Sequence, residues 1–217
     1  MTTSFPYNYL CIEGNIGAGK TSFCKMIEEE YNCKLILEQF DDNPFLPFFY
    51  EEPDRYGFTV ELFFMTERYK QLTRHLLNRD LFLDFTISDY FFTKTLLFAR
   101  NNLNDEEYRM FSKMFNVFNQ SFPTPDLLVY FHRSTDILMS NIKKRGRGYE
   151  TYITESYLKT VQDSYFEYFR NIVSFPILII DLHTLDFVDN QKHYEEVKYL
   201  ISKTYRPGVH RTSLSIS

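Results

Sequence analysis

No stretch of 18 apolar residues occurs in this 217-residue chain, so no segment reads as a membrane-spanning helix. The start, Met1 to Leu10, lacks the basic region and long apolar run of a secretory leader. Cysteine is scarce: Cys11, Cys24 and Cys33 are odd in number and without CxxC spacing, which argues against a disulfide framework and for a reducing compartment. His75, His132, His183, His193 and His210 show no paired metal spacing, so a Zn²⁺ site is not expected. There is no long basic stretch either. With 24 Lys+Arg against 29 Asp+Glu, a net charge of −5 and a pI near 5.6, duplex nucleic acid is excluded as the main partner, because its binding depends on neutralising phosphates. The expectation is a cytoplasmic protein without duplex nucleic-acid or membrane partners, one in which small anionic ligands remain open.

Aromatic residues, by contrast, are abundant. The 23 Phe and 17 Tyr, among 44% hydrophobic residues, can bury a sizeable core and exclude global disorder. At roughly 100 to 200 residues per domain the length fits one domain, read as 1–205. The last stretch, 206–217, is polar and without a period, and is expected to be a flexible tail. Short apolar runs at 9–13, 34–37, 85–88, 127–132 and 177–181 alternate with segments of helical period at 21–30, 57–78, 92–100, 105–119, 136–144, 155–171 and 191–204. That alternation predicts an α/β fold with a five-stranded parallel sheet flanked by helices. In the longest helical segment Phe58, Leu62, Met65, Tyr69 and Leu72 form one apolar stripe, read as core packing.

Directly after the first apolar run stands Gly14-Asn15-Ile16-Gly17-Ala18-Gly19-Lys20-Thr21, which fits GxxxxGK[ST] between a strand and a helix. Glycines let backbone N–H groups turn inward around phosphate oxygens, and the following helix presents its positive end. Lys20 adds a point charge at the β and γ phosphates, and Thr21 offers a hydroxyl to Mg²⁺. The guanine-reading Asn/Thr-Lys-x-Asp motif of a GTPase is absent, which turns the reading toward a small-molecule kinase. Such an enzyme needs a base at the acceptor hydroxyl and cations over the transferring group. Glu38 follows the second strand, where the carboxyl ends of parallel strands line the ligand crevice. The run Lys143 to Arg147, beside Gly146 and Gly148, reads as a mobile cationic lid at about 144–150.

The phosphate loop, Glu38, Asp42-Asn43-Pro44-Phe45-Leu46, Phe49-Tyr50-Glu51-Glu52-Pro53, Phe58-Thr59-Val60-Glu61 through Arg68, and Lys144 through Glu150 follow one another in a telling order and spacing. In that order they resemble the deoxynucleoside kinase family, and the Asn-Pro-Phe-Leu segment is most similar to its bacterial deoxyadenosine/deoxyguanosine kinase branch. The resemblance implies a P-loop kinase that uses ATP and Mg²⁺ on a deoxynucleoside, acts as a homodimer and favours deoxyadenosine. It implies that Glu38 is the base for the 5′-hydroxyl, that Tyr50 and Glu150 hold the 3′-hydroxyl, and that Arg68 lies near the base and the reacting centre. Phe98 falls where an aromatic ring stacks on the nucleobase. Arg145 and Arg147 fall at the lid arginines that join Lys20 on the ATP phosphates, and Asp186-Phe187 at the loop near the ATP adenine.

The sequence departs from the family pattern twice. Most of the family has an acid followed by Arg-Ser at the end of the third strand, whereas this chain has Ser88-Asp89-Tyr90, without the arginine. Ungapped counting puts Asp89 at the arginine position; a one-residue shift puts it at the acid. The shift is preferred on chemical grounds, because a carboxylate there can orient Mg²⁺ or its water opposite Thr21. Secondly, Glu61 stands where a Gln commonly reads the base edge. An ionised Glu only accepts hydrogen bonds, which leaves deoxyguanosine and deoxycytidine open beside deoxyadenosine. A thymidylate-type monophosphate kinase and a non-catalytic nucleotide-binding regulator are the rival readings.

Overall fold

The computed structural model describes residues 5–39, 43–77, 80–183 and 185–214. Asp42 of the family-like segment, Asn78 at the end of the expected long helix and the last residues of the expected tail lie outside them. Six parallel strands form one sheet: β1 (Tyr9–Gly14), β2 (Cys33–Ile36), β3 (Phe85–Ser88), β4 (Leu127–His132), β5 (Pro176–Asp181) and β6 (Gly208–Ser213), in the order β2-β3-β1-β4-β5-β6. Around it lie α1 (Lys20–Glu30), α2 (Leu46–Glu51), α3 (Pro53–His75), α4 (Lys94–Asn102), α5 (Asp105–Asn119), α6 (Thr135–Arg145), α7 (Glu155–Arg170) and α8 (Gln191–Ile201), with a 3₁₀ turn at Gly148–Tyr152. The α/β parallel architecture is therefore as expected, but the strand count is corrected from five to six. The additional strand occupies the segment expected to be a flexible tail.

The physical reason is that β6 is an edge strand. Its residues alternate between half-buried and exposed, and its backbone pairs in register with β5 from Pro176–Gly208 to Asp181–Ser213. Arg211 fastens it by donating Nε and Nη2 to Asp181 at 2.8 and 2.9 Å. Main-chain bonds and one ion pair, rather than an apolar run, make this strand.

Side chains from the central strands leave the sheet on alternating faces. Along β4, Leu127, Val129 and Phe131 pack with Phe23 and Ile27 of α1 and Val197 and Ile201 of α8. Leu128 and Tyr130 point the other way, onto Val161, Tyr165 and Phe169 of α7. A third core lies among the helices: Met65 and Leu72 of α3 meet Phe92, Ala99, Phe111 and Phe115, with Phe58, Leu62 and Tyr69 packed alongside. The apolar stripe of α3 is thus spent within the chain, where Tyr69 meets Phe118 at 4.7 Å between ring centres. Phe111 is fully buried here, and Phe111→Ala is expected to lower the unfolding free energy by about 3–5 kcal/mol in urea titration.

The connection after β1 runs past β3 to β2, whereas the connection after its neighbour β3 runs past β1 to β4, so the chain leaves these two adjacent strands in opposite directions. The crevice this reversal opens at the carboxyl ends of the strands is where α/β sheets hold ligands.

Candidate active site

The loop after β1 turns through Gly17 at φ 81° and Gly19 at φ 94°, a left-handed backbone that disfavours side chains. A Cβ on Gly19 would also stand 2.8 Å from the Phe187 ring. Asn15 is buried and donates Nδ2 to the Leu158 carbonyl at 2.7 Å, tying the loop to α7. Asn141 of α6 donates to the Gly17 carbonyl at 2.8 Å. Arg133, just past β4, donates to the carbonyls of Ala18, His183 and Leu185 at 3.3, 3.2 and 2.7 Å. The loop is thus held in shape by three neighbours. Lys20 Nζ lies across it, donating to the Gly14 and Asn15 carbonyls at 2.8 and 2.9 Å. Burial, reinforced by the nearby charge of Lys94, lowers its pKa to about 8, so this cation gains from an incoming anion.

Beside the loop, Thr21 Oγ1 donates to Asp89 Oδ2 at 2.5 Å, and the other Asp89 oxygen accepts the Glu38 backbone N–H at 2.7 Å. Burial and the neighbouring Glu38 raise the pKa of Asp89 despite these bonds. Asp89, not Ser88, turns to Thr21: the Ser88 hydroxyl is occupied by the Tyr90 carbonyl and the Tyr9 hydroxyl at 2.8 and 3.2 Å.

Glu38 is the electrostatic centre of the crevice. Oε1 accepts Arg68 Nε and Nη2 at 2.8 and 2.6 Å, and Oε2 accepts Lys94 Nζ at 2.5 Å. Burial alone would push this carboxyl up, but Lys94 and Arg68 together hold it down at about 2. Farther along α3, Glu61 Oε1 accepts Asn102 Nδ2 at 2.7 Å, while buried Oε2 has no partner among the described residues. Here burial outweighs Arg68 and Asn102 and raises the pKa to about 7. Two carboxylates on neighbouring walls are therefore driven apart by their surroundings, Glu38 held ionised at neutral pH in the free enzyme and Glu61 poised to hold a proton.

These groups line one cleft together with Ile16, Gly17, Tyr50, Phe98, Arg145, Arg147 and Glu150. Tyr50 lies parallel to Tyr149, with ring centres 6.4 Å apart. Glu150 is buried and takes a two-pronged ion pair from Arg145 and a 3.5 Å contact from Arg147. The lid arginines thus lie on the carboxylate expected at the sugar.

Residues 10–205 match the family model described as deoxynucleoside kinase. The chain belongs to the deoxynucleoside kinase family. It is 31% identical over 196 residues to a Bacillus subtilis protein named deoxyguanosine kinase, covering 87% of this chain and 93% of that protein. A Lactobacillus acidophilus protein named deoxyadenosine kinase is 28% identical over 211 residues, covering 91% of this chain and 96% of its own. The structure of deoxyadenosine kinase from M. mycoides with bound dATP has the same fold, with a TM-score of 0.77 at 24% identity over 90% of this chain and 99% of that one. Membership makes this kinase an ATP-dependent phosphotransferase.

Of the site residues expected in the kinase from its sequence, the cleft brings together Lys20, Thr21, Glu38, Tyr50, Glu61, Arg68, Asp89, Phe98, Arg145, Arg147 and Glu150. Asp186 and Phe187 are not among its lining. Phe187 is 1% exposed, wedged between Phe23, Phe131 and Gly19, and Asp186 caps its own turn by accepting the Val188 and Asp189 N–H groups. Sequence reasoning missed Lys94, Thr95, Asn102 and Tyr157. The available signal for Lys94 was a lone cation inside the aromatic run Phe91-Phe92-Thr93-Lys94-Thr95-Leu96-Leu97-Phe98, a stretch that otherwise reads as core.

Proposed function

We propose that this kinase transfers the γ-phosphoryl group of ATP to the 5′-hydroxyl of a deoxynucleoside, deoxyadenosine being preferred, within a single domain that includes β6 and whose lid is 144–150. The observation that carries the reading is the continuity of one cleft from the phosphate-loop lysine, Lys20, to the buried carboxylate Glu38 and on to Glu61. In this reading the loop 14–21 and the arginines Arg145 and Arg147 hold ATP, and Asp186 with Phe187 supports the loop beside its adenine. Glu38 takes the 5′-hydroxyl proton. Tyr50 and Glu150 take the 3′-hydroxyl, Phe98 stacks on the base, and Glu61 and Arg68 read its edge.

The Thr21 hydroxyl and Asp89 carboxylate suit Mg²⁺, which typically takes one or two protein oxygens and completes its shell with water and phosphate. When bound, the ion supplies positive charge to the β and γ oxygens. Asp89→Asn is expected to raise the Mg²⁺ concentration for half-maximal rate at least about tenfold, measured by titration at saturating ATP. The chain is further read as a cytoplasmic homodimer; sedimentation equilibrium at twice 26.2 kDa is the expected result.

The deciding experiment is transfer from labelled ATP with Mg²⁺ to the four deoxynucleosides, adenosine and the corresponding monophosphates. Rapid labelling of a deoxynucleoside supports the reading. Labelling of monophosphates alone, or of nothing despite ATP binding, rejects it.

A further inference from the structure

Glu38 carries one negative charge and is gripped by two cations, so the cluster Glu38–Arg68–Lys94 holds a surplus positive charge inside the protein. Burying such a surplus is costly unless an anion arrives to meet it. The two cations are also held differently. Arg68 is pinned on three sides: two nitrogens on Glu38, Nη1 on the Thr95 hydroxyl at 2.8 Å, and its guanidinium 4.9 Å from the centre of the Phe64 ring. Lys94 hangs on a flexible stem, with Glu38 Oε2 as the hydrogen-bond partner of Nζ and the Phe98 ring 5.4 Å away. It is the first residue of α4 and its side chain is 7% exposed, so it sits at the end of a helix that repels a cation. The helix gains nothing from it.

Where Lys94 sits supplies the anion. It lines the same cleft as Lys20 and Thr21, close enough to Lys20 for the two charges to oppose each other. Residue 90, directly after Asp89, is a buried Tyr whose hydroxyl is taken up by Gln71, and no arginine stands there.

We propose that Lys94 is the mobile cation of the transfer, holding Glu38 in the free enzyme and passing to the γ-phosphoryl group as the 5′-hydroxyl proton reaches Glu38. This rests on the kinase reading above and assigns a role to a residue outside it. In the step, a lone pair of the 5′-oxygen forms the new bond to the γ-phosphorus. The bond from that phosphorus to the β,γ-bridging oxygen breaks, its electron pair staying with ADP. The hydroxyl proton goes to Glu38 Oε2, the oxygen that Lys94 vacates, and Lys94 keeps its three protons throughout. One motion thus does two things: it frees a lone pair on the base and brings a charge to the oxygens that need it.

The test is steady-state kinetics on the purified full chain, with the deoxynucleoside it phosphorylates fastest, as wild type, Lys94→Met and Lys94→Arg. Lys94→Met is expected to lower kcat by roughly 10²- to 10³-fold with little change in the deoxynucleoside KM. Lys94→Arg is expected to restore kcat to within about tenfold of wild type. A Lys94→Met enzyme within about threefold of wild type, or a loss that falls on KM and leaves kcat unchanged, overturns the proposal. If circular dichroism shows Lys94→Met unfolded, Lys94→Arg decides alone: a near-wild-type rate supports the proposal and a folded variant slowed hundredfold overturns it. A wild-type chain that phosphorylates no deoxynucleoside overturns the kinase reading as well, whereas an active wild type beside an equally active Lys94→Met overturns this inference only.

Discussion

Glu38→Gln lowers kcat by roughly 10²- to 10⁴-fold, the range expected for loss of a positioned general base. The amide keeps the shape of the side chain but cannot take the 5′-hydroxyl proton, so ATP binding survives while transfer does not. A second effect accompanies the first. Arg68 and Lys94 are both buried against Glu38, and neutralising their shared partner leaves two cations facing each other in a poorly solvated crevice. Breaking a buried pair in this way costs about 3–5 kcal/mol. The triphosphate of ATP brings the missing negative charge, so thermal melts should show a larger ATP-induced stabilisation in Glu38→Gln than in wild type. The pH dependence has a defined sign. Lys94 and Arg68 overcome the effect of burial and hold the folded Glu38 at about 2, below its unfolded value of 4.5. Its contribution to stability is therefore complete above about 4.5 and is lost as pH falls from there through about 2, a loss absent from Glu38→Gln. A folded, ATP-binding Glu38→Gln enzyme turning over near the wild-type rate would remove Glu38 from the chemistry.

Such predictions draw on residues that were unequally visible in the sequence. The phosphate loop was legible because its geometry is contiguous: Gly17 and Gly19 are demanded by backbone angles, and Lys20 and Thr21 follow at fixed positions. Glu38 was legible through its place at a strand's carboxyl end, and Tyr50, Glu61, Arg68, Phe98 and Glu150 through family resemblance. Lys94, Thr95 and Asn102 were not, because their roles come from α4 packing against α3, which brings them to Glu38, Arg68 and Glu61 across 27 to 56 residues of sequence. Phe187 is a different case. Its aromatic ring fills the hollow that Gly19 leaves, so it shapes the loop from beneath instead of facing the cleft. The edge strand β6 escaped because periodicity detects buried faces, and an edge strand held by main-chain pairing buries little.

The second large effect concerns base choice and follows from the proton on Glu61. Burial, opposed by Arg68 and Asn102, raises this carboxyl to about 7, so near neutrality it exists in both forms. The protonated acid donates and accepts at once, as the Gln common at this position does, and can meet both an adenine amine and a ring nitrogen. The carboxylate only accepts, which suits the adjacent N1–H and N2–H donors of guanine. Asn102 already fills Oε1, and unpartnered Oε2 is the atom whose character changes. The ratio of kcat/KM for deoxyadenosine over deoxyguanosine is therefore expected to fall as pH rises through about 7. With a matched base contact worth about 1–3 kcal/mol, the change between pH 5.5 and 8.5 is about 10- to 100-fold. Glu61→Gln should hold the ratio constant and on the adenine side. Stability carries the same proton: folded Glu61 binds it more tightly than the unfolded chain, so the kinase loses stability as pH rises from about 4.5 through about 7, and Glu61→Gln does not. A flat ratio in wild type, or an equal slope in Glu61→Gln, would show that another group sets the base preference.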